Sequence, residues 1–147
     1  MALDIPTELT YADVTLRYDK TIPGDSRVGL VPSHRFRVFQ ADTEVGHISF
    51  KVGDSSHLHM VAGHIGYAIN SPFRGQGLAG KACLALAPFA RQLYQAVIIT
   101  VNPENHSSIR VIEKLGARFI EQVTVPEDDP SYVNGVRRKL RYEWTLV

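Results

Sequence analysis

Residues 74–80 read Arg-Gly-Gln-Gly-Leu-Ala-Gly, after an apolar, strand-like run and before a long amphipathic stretch. A glycine-rich turn that opens a helix aims main-chain N–H groups into an empty cup, and the helix dipole adds partial positive charge. That combination holds phosphate. Upstream, His57, His59 and His64 precede or begin a strand, and histidine exchanges protons in the useful pH range. Downstream, Asn105 and Ser108 are three residues apart, which puts them on one face of a helix.

More than one kind of phosphate binder fits this loop. Gly75, Gly77 and Gly80 satisfy the dinucleotide pattern Gly-x-Gly-x-x-Gly, but that pattern normally follows the first strand of a parallel sheet. It also wants an acidic residue about 20 positions on, at the end of the next strand. Here that strand ends in Val101-Asn102. Gly75 through Lys81 also match Gly-x-x-x-x-Gly-Lys, the loop of nucleotide hydrolases. The next residue must then carry a hydroxyl for magnesium, and Ala82 has none. Lys81 reads as a solvated helix residue.

The elements that must position the loop follow from periodicity. Val14–Tyr18, Arg35–Gln40, Val45–Val52 and a run within Ala62–Asn70 read as strands, the last three as an antiparallel meander. A helix from about Gly77 to Tyr94 carries Leu78, Ala82, Leu86, Phe89 and Leu93 on one stripe, and Pro88 should kink it. Val97–Val101 is wholly apolar, as for a central strand. Strand, helix and strand in that order imply a parallel pair joined by a right-handed crossover. A second helix takes Asn102 as its N-cap and Pro103 at its first position, and ends at Lys114-Leu115-Gly116. Arg118–Val125 and Val136–Val147 read as strands around an acidic loop, in which Glu127-Asp128-Asp129 is a solvated run or an attractor for a cationic acceptor. Arg137, Lys139 and Arg141 alternate as a solvated face.

The chain of 147 residues fits one domain, 44% apolar and 21% charged, as in globular proteins. A net charge of +1 gives no reason to expect nucleic acid or a membrane surface as a partner. Lone Cys83 excludes an intrachain disulfide and points to a reducing, cytoplasmic setting. No stretch approaches the roughly 18 apolar residues of a membrane span, and the first residues lack the pattern of a secretory signal.

A third reading uses more of the chain. Arg74-Gly-Gln-Gly-Leu-Ala79 fits Arg/Gln-x-x-Gly-x-Gly/Ala, which resembles the acyl-CoA loop of the GNAT acyltransferase superfamily. Asn102-Pro-Glu-Asn-His-Ser-Ser-Ile-Arg-Val-Ile-Glu-Lys-Leu-Gly-Ala117 resembles that superfamily's second CoA-contacting segment. The resemblance implies one N-acyltransferase-like domain over 1–147. Its fold would be α+β, a mixed sheet of six or seven strands with a central strand-helix-strand crossover and few helices. It implies acetyl-CoA as cosubstrate, no metal, and direct attack by a primary amine of a small molecule or a peptide N-terminus.

Carried over residue by residue, the resemblance makes Tyr67, Ala68 and Ile69 the strand backbone that pairs with the pantetheine arm. Gln76, Gly77, Leu78, Ala79 and Gly80 would hold the pyrophosphate, with Gly75 and Gly77 admitting close approach. Arg74 either contacts phosphate or anchors the turn. Asn105 would stand beside the arm; Asn102 is a ligand or a helix cap. Many relatives place a tyrosine where this chain has Ile112, which leaves Ser108 to hydrogen-bond the leaving thiolate. His64 is a candidate base. Relatives also place one or two helices between their first two strands as a wall of the acceptor site, whereas Lys20–His34 is too short and too rich in proline. The acceptor cleft is therefore open, or closed by a partner copy, and Val136–Val147 offers an edge for a homodimer. A non-catalytic acyl-CoA-binding module is the competing reading.

Overall fold

Apolar side chains at alternate positions build the first half of the protein. Val14 and Leu16, Phe36 and Val38, Ile48 and Phe50, and Ile65 and Ile69 are all buried, while their sequence neighbours, His64 excepted, are not. In the computed structural model, which describes residues 3–146, these belong to β2 (Val14–Ile22), β3 (Ser33–Gln40), β4 (Thr43–Lys51) and β5 (Ile65–Ile69). A preceding strand, β1 (Glu8–Tyr11), pairs with β2, so the meander has five antiparallel strands in the order β1-β2-β3-β4-β5. β1 is only four residues long, and three of the four are exposed, with Leu9 partly buried.

One helix covers this sheet. α1 (Leu78–Arg91) lays Leu78, Ala82, Cys83, Leu86 and Phe89 on it, with Phe89 edge-on to Phe50 at 5.5 Å and to Phe36 at 6.3 Å. The helix runs unbroken through Pro88. After α1 come β6 (Ala96–Val101), α2 (His106–Lys114), β7 (Arg118–Thr124), the single turn α3 (Pro130–Val133) and β8 (Arg138–Thr145). The last strands form a second antiparallel sheet in the order β6-β8-β7. The class is α+β, as expected. The eight strands are divided between two sheets, and β5 and β6, either side of α1, form no ladder.

Besides the single mixed sheet and its parallel pair, which are replaced by two antiparallel sheets, two further expectations change. α2 is capped by Asn105, whose side chain accepts from Ser108 N–H; Asn102 instead opens a tight turn that closes on Asn105. That turn holds Pro103 and Glu104 outside the helix. The final strand is not an edge either, because β8 is paired on one side with β6 and on the other with β7. It cannot extend a sheet into a second copy.

Both long helices lie on one side. Gly80 of α1 faces Val111 of α2, with 4.0 Å from an ideal Cβ to Val111 Cγ1. The opposite face of the five-stranded sheet carries Arg17, Arg37, His47 and Ala68 as one cross-strand row, and Arg35, Ser49 and Gly66 as the next. None of these is buried. The connection from β2 to β3 contains only a three-residue helical turn, Ser26–Val28, so no long helix walls this face.

Candidate functional site

The N-terminus of α1 is open. Gly77 occupies the cap position with φ +74° and no side chain caps the helix, so the first-turn N–H groups have no intrahelical partner. Gly75 also lies in the left-handed region, at φ +82°. An added Cβ at Gly75 or Gly77 would meet nothing within 4 Å, so these positions demand glycine for conformation rather than for room inside the protein. Leu78 and Ala79 turn their side chains into the core, which fixes the loop, while Gln76 is exposed. Arg74 donates from Nε to Ile69 O at 2.8 Å, anchoring the turn and leaving its other guanidinium N–H groups exposed. Lys81 binds Asp13 Oδ1 at 2.7 Å, and Gln40 binds the same carboxylate at 2.9 Å. This lysine ties the β1–β2 turn to α1.

The division between the sheets begins at His64. Its N–H donates to Ile98 O at 2.7 Å, and its ring Nδ1 accepts from Ile98 N–H at 2.9 Å. A side chain thus takes the place that the next strand residue would fill. His64 is 1% exposed, with its ring 4.5 Å from that of Tyr94, and burial pulls its pKa down to about 4. Its Nδ1 lone pair is occupied by Ile98, and Nε2 has no partner.

Beyond His64, the direction of each peptide on β5 follows from its pairing with β4. Lys51 N–H donates to His64 O, and Asn70 N–H donates to Val45 O. By the two-residue period of the ladder, Gly66 and Ala68 turn their peptide groups toward β4, and Ile65, Tyr67 and Ile69 turn theirs away, toward β6. Of the three strand residues expected to face a ligand, Tyr67 and Ile69 do so through their backbone. Ala68 addresses His47.

The Tyr67 side chain crosses to the second helix. Its hydroxyl lies 2.5 Å from Ser108 Oγ, and burial pushes its pKa up to about 12. Ile112 is 1% exposed in the core and offers no polar group. Asn105 uses its carbonyl for Ser107 and Ser108, whereas Asn102 Oδ1 is buried without a hydrogen-bond partner. An orphaned acceptor of this kind costs about 1–3 kcal/mol until a donor reaches it.

Across the sheet, the helix-free face holds groups that the sequence pattern did not single out. His47, opposite Ala68, is kept neutral by burial and by the charge of Arg35, both of which lower its pKa. A π-helical turn, Leu58–Ala62, lies against β6 and β8, with Thr100 Oγ1 donating to Val61 O and Arg141 Nε donating to His59 O. Arg141 is therefore structural rather than solvated. Asp129 is buried, caps α3 and lies 2.7 Å from His57 Nε2, which removes it from the solvated acidic run.

An uncapped helix start, a strand with unpaired peptide groups and a gap between sheets suit an extended ligand that ends in phosphate. The profile of the acetyltransferase (GNAT) domain matches residues 6–118. The chain belongs to the GNAT acetyltransferase family. Solved GNAT structures share its fold. One is ribosomal-protein-S5-alanine acetyltransferase from Vibrio fischeri, at 14% identity and TM-score 0.65, covering 96% of this chain and 97% of that one. Another is Mycobacterium smegmatis RimJ in complex with CoA-disulfide, at 24% identity and TM-score 0.59, covering 77% of this chain. A third is the microcin C7 self-immunity acetyltransferase MccE in complex with acetyl-CoA and AMP, at 18% identity and TM-score 0.60, also covering 77%. The GNAT chain spans 53% of RimJ and 61% of MccE. No curated protein sequence gives a significant match.

Proposed function

We propose that this GNAT protein transfers the acetyl group of acetyl-CoA to a primary amine, of a small molecule or a peptide N-terminus. The observation that carries the reading is the gap that opens at His64, with the peptide groups of Tyr67 and the N–H of Ile69 turned toward it along one wall, while Ile69 O is held by Arg74. The residues present fit the cosubstrate. N–H groups from Gln76 to Gly80 would hold its pyrophosphate, with Arg74 adding its free guanidinium N–H groups. Backbone of Tyr67 and Ile69 would complete a ladder with the pantetheine arm, an addition resembling that of a peptide strand. Asn102 Oδ1 is an unpaired acceptor for an amide N–H of that arm. Asn105 contributes by capping α2, which sets the position of Ser108.

Acetyl-CoA supplies an activated thioester. The chain's own task is to manage protons. A protonated amine cannot attack, so a base must take its proton. His64 lacks a free basic lone pair at Nδ1 and serves to splint the strands. His47 stands on the opposite face beside Ala68, uncharged near neutrality, and we assign it the base role. The hydroxyl pair Tyr67–Ser108 spans from β5 to α2 and supplies a hydrogen bond to the departing sulfur. On this reading the hydroxyl pair takes over the role that the tyrosine of many relatives would have at the Ile112 position.

Thiol release with acetyl-CoA and a panel of primary amines tests the proposal. Turnover with at least one amine is expected. Tight acetyl-CoA binding with no turnover on any amine would instead favour the non-catalytic acyl-CoA-binding module, and absence of binding would reject both. Binding of ATP with magnesium is not expected, since Lys81 is engaged by Asp13 and Ala82 offers no hydroxyl.

A further inference from the structure

On the helix-free face and the strands beside it, the acidic side chains already have basic partners. Asp19 lies 3.7 Å from Arg35 Nε and 3.5 Å from Arg37, and Glu44 lies 3.6 Å from Arg37. Glu121 pairs with Arg141, and Asp129 with His57. Lys51 and Lys139 have no carboxylate partner within 4.0 Å among the described residues. Both are half-buried rather than free in solvent.

Their position is specific. Lys51 Nζ lies 3.7 Å from where a Gly66 Cβ would be, so the ammonium rests over β5 at a residue that leaves room for it. The Lys51 main chain is fixed by its bond to His64 O, at the point where the sheets part. Gly66 sits one residue from Tyr67, on the face away from the helices. The two ammonium groups are close enough for the charge of Lys139 to disfavour that of Lys51, and burial lowers both. Asp129, the acid that supports Lys139, is shared with His57 and Ser131. Two like charges, partly desolvated, with no carboxylate in contact and only a shared Asp129 nearby, leave an attraction unsatisfied that an incoming anion would meet.

We propose that Lys51 and Lys139 form an oxyanion-binding subsite for the acceptor, so that the acetylated amine belongs to a molecule that also carries a carboxylate or a phosphate. The inference rests on the acetyl-transfer reading, because Gly66 marks the far side of the gap from the cosubstrate. Substrates would be oriented by their anionic group, with the amine left to approach the thioester.

Matched pairs of amines test it by calorimetry on the CoA-loaded protein: glycine against glycinamide, and 2-aminoethyl phosphate against ethanolamine. The oxyanion member of at least one pair should bind about tenfold more tightly, as one charge-assisted contact provides. Which pair responds separates carboxylate from phosphate. Lys51→Met and Lys139→Met should each abolish the difference, and Lys51→Arg should keep it; if one methionine variant does not fold, the other decides. Equal binding within both pairs, no heat from any oxyanion, or a preference unchanged in the methionine variants overturns the subsite. Failure of CoA itself to bind counts against acetyl transfer instead, and the same titrations on the free protein, with inorganic phosphate as a probe, still judge the lysine pair.

Discussion

The two faces of the sheet solve different problems with different materials. On the helical side, the groups available to a ligand are main-chain amides: the first turn of α1 and the peptides of Tyr67 and Ile69. On the bare side they are side chains, His47, Lys51 and Lys139, drawn from β4 and β8. Backbone recognition depends on conformation, so it tolerates many side chains but few backbones. Side-chain recognition is the reverse. A ligand common to a whole family suits the first face, and a partner particular to one protein suits the second.

The sharpest break of that contrast is at Gly77. Gly77→Val forces a β-branched residue into φ +74° and withdraws N–H groups from the cup. Charge-assisted hydrogen bonds contribute about 1.5–3 kcal/mol each, so CoA affinity measured by calorimetry should fall by about a hundredfold or more. Gln76→Ala, which changes only an exposed side chain, should leave affinity within about threefold. A larger loss at Gln76 than at Gly77 would refute the backbone account.

Ser108→Ala and Tyr67→Phe probe the junction between the faces. Each should reduce kcat by about a hundredfold, the low end of proton-transfer assistance, with CoA affinity retained. A loss confined to CoA binding would make the pair a structural strut.

His47→Gln should lower kcat/KM by about a hundredfold at pH 7, the low end of general-base assistance. The wild-type profile should fall as acid protonates His47, below the ordinary histidine range because burial and Arg35 disfavour its charge. The variant should lose that limb. An unchanged limb would transfer the base role elsewhere.

The smallest effect is one of stability. His64 titrates at about 4 when folded, against about 6.5 in an unfolded chain. As pH falls from 6.5 toward 4 the unfolded chain takes up the proton first, so folding stability should decline, by at most about 3 kcal/mol. His64→Asn keeps an acceptor for Ile98 N–H without a titrating ring. Denaturation midpoints at pH 7 and pH 5 should therefore lie closer together in the variant than in the wild type.

Legibility in the sequence follows the same division. Arg74–Gly80 is contiguous, and its glycines encode backbone angles directly, so loop, helix and family were readable together. The alternation in β2 to β5 exposed the core face equally well. Other features lay beyond reach. His47 and Lys51 alternate with apolar residues, as any solvated strand face does; only the register against β5 and the proximity of β8 gives them meaning. Asn102 and Asn105 both have the chemistry of a helix cap, and Pro103 favoured the first; the tight turn between them reversed the choice. The sheets' separation depends on a side chain of His64 that mimics a backbone acceptor, which no periodicity records.

That mimicry has a kinetic consequence. A sheet that had to unzip before admitting a ligand would lose main-chain hydrogen bonds first, and association would wait on the opening. Here the imidazole already terminates the pairing between β5 and β6. On the acetyl-transfer reading the cosubstrate would meet a preorganised slot: association should follow a simple bimolecular law, and docking should stiffen the β5 edge rather than remodel it.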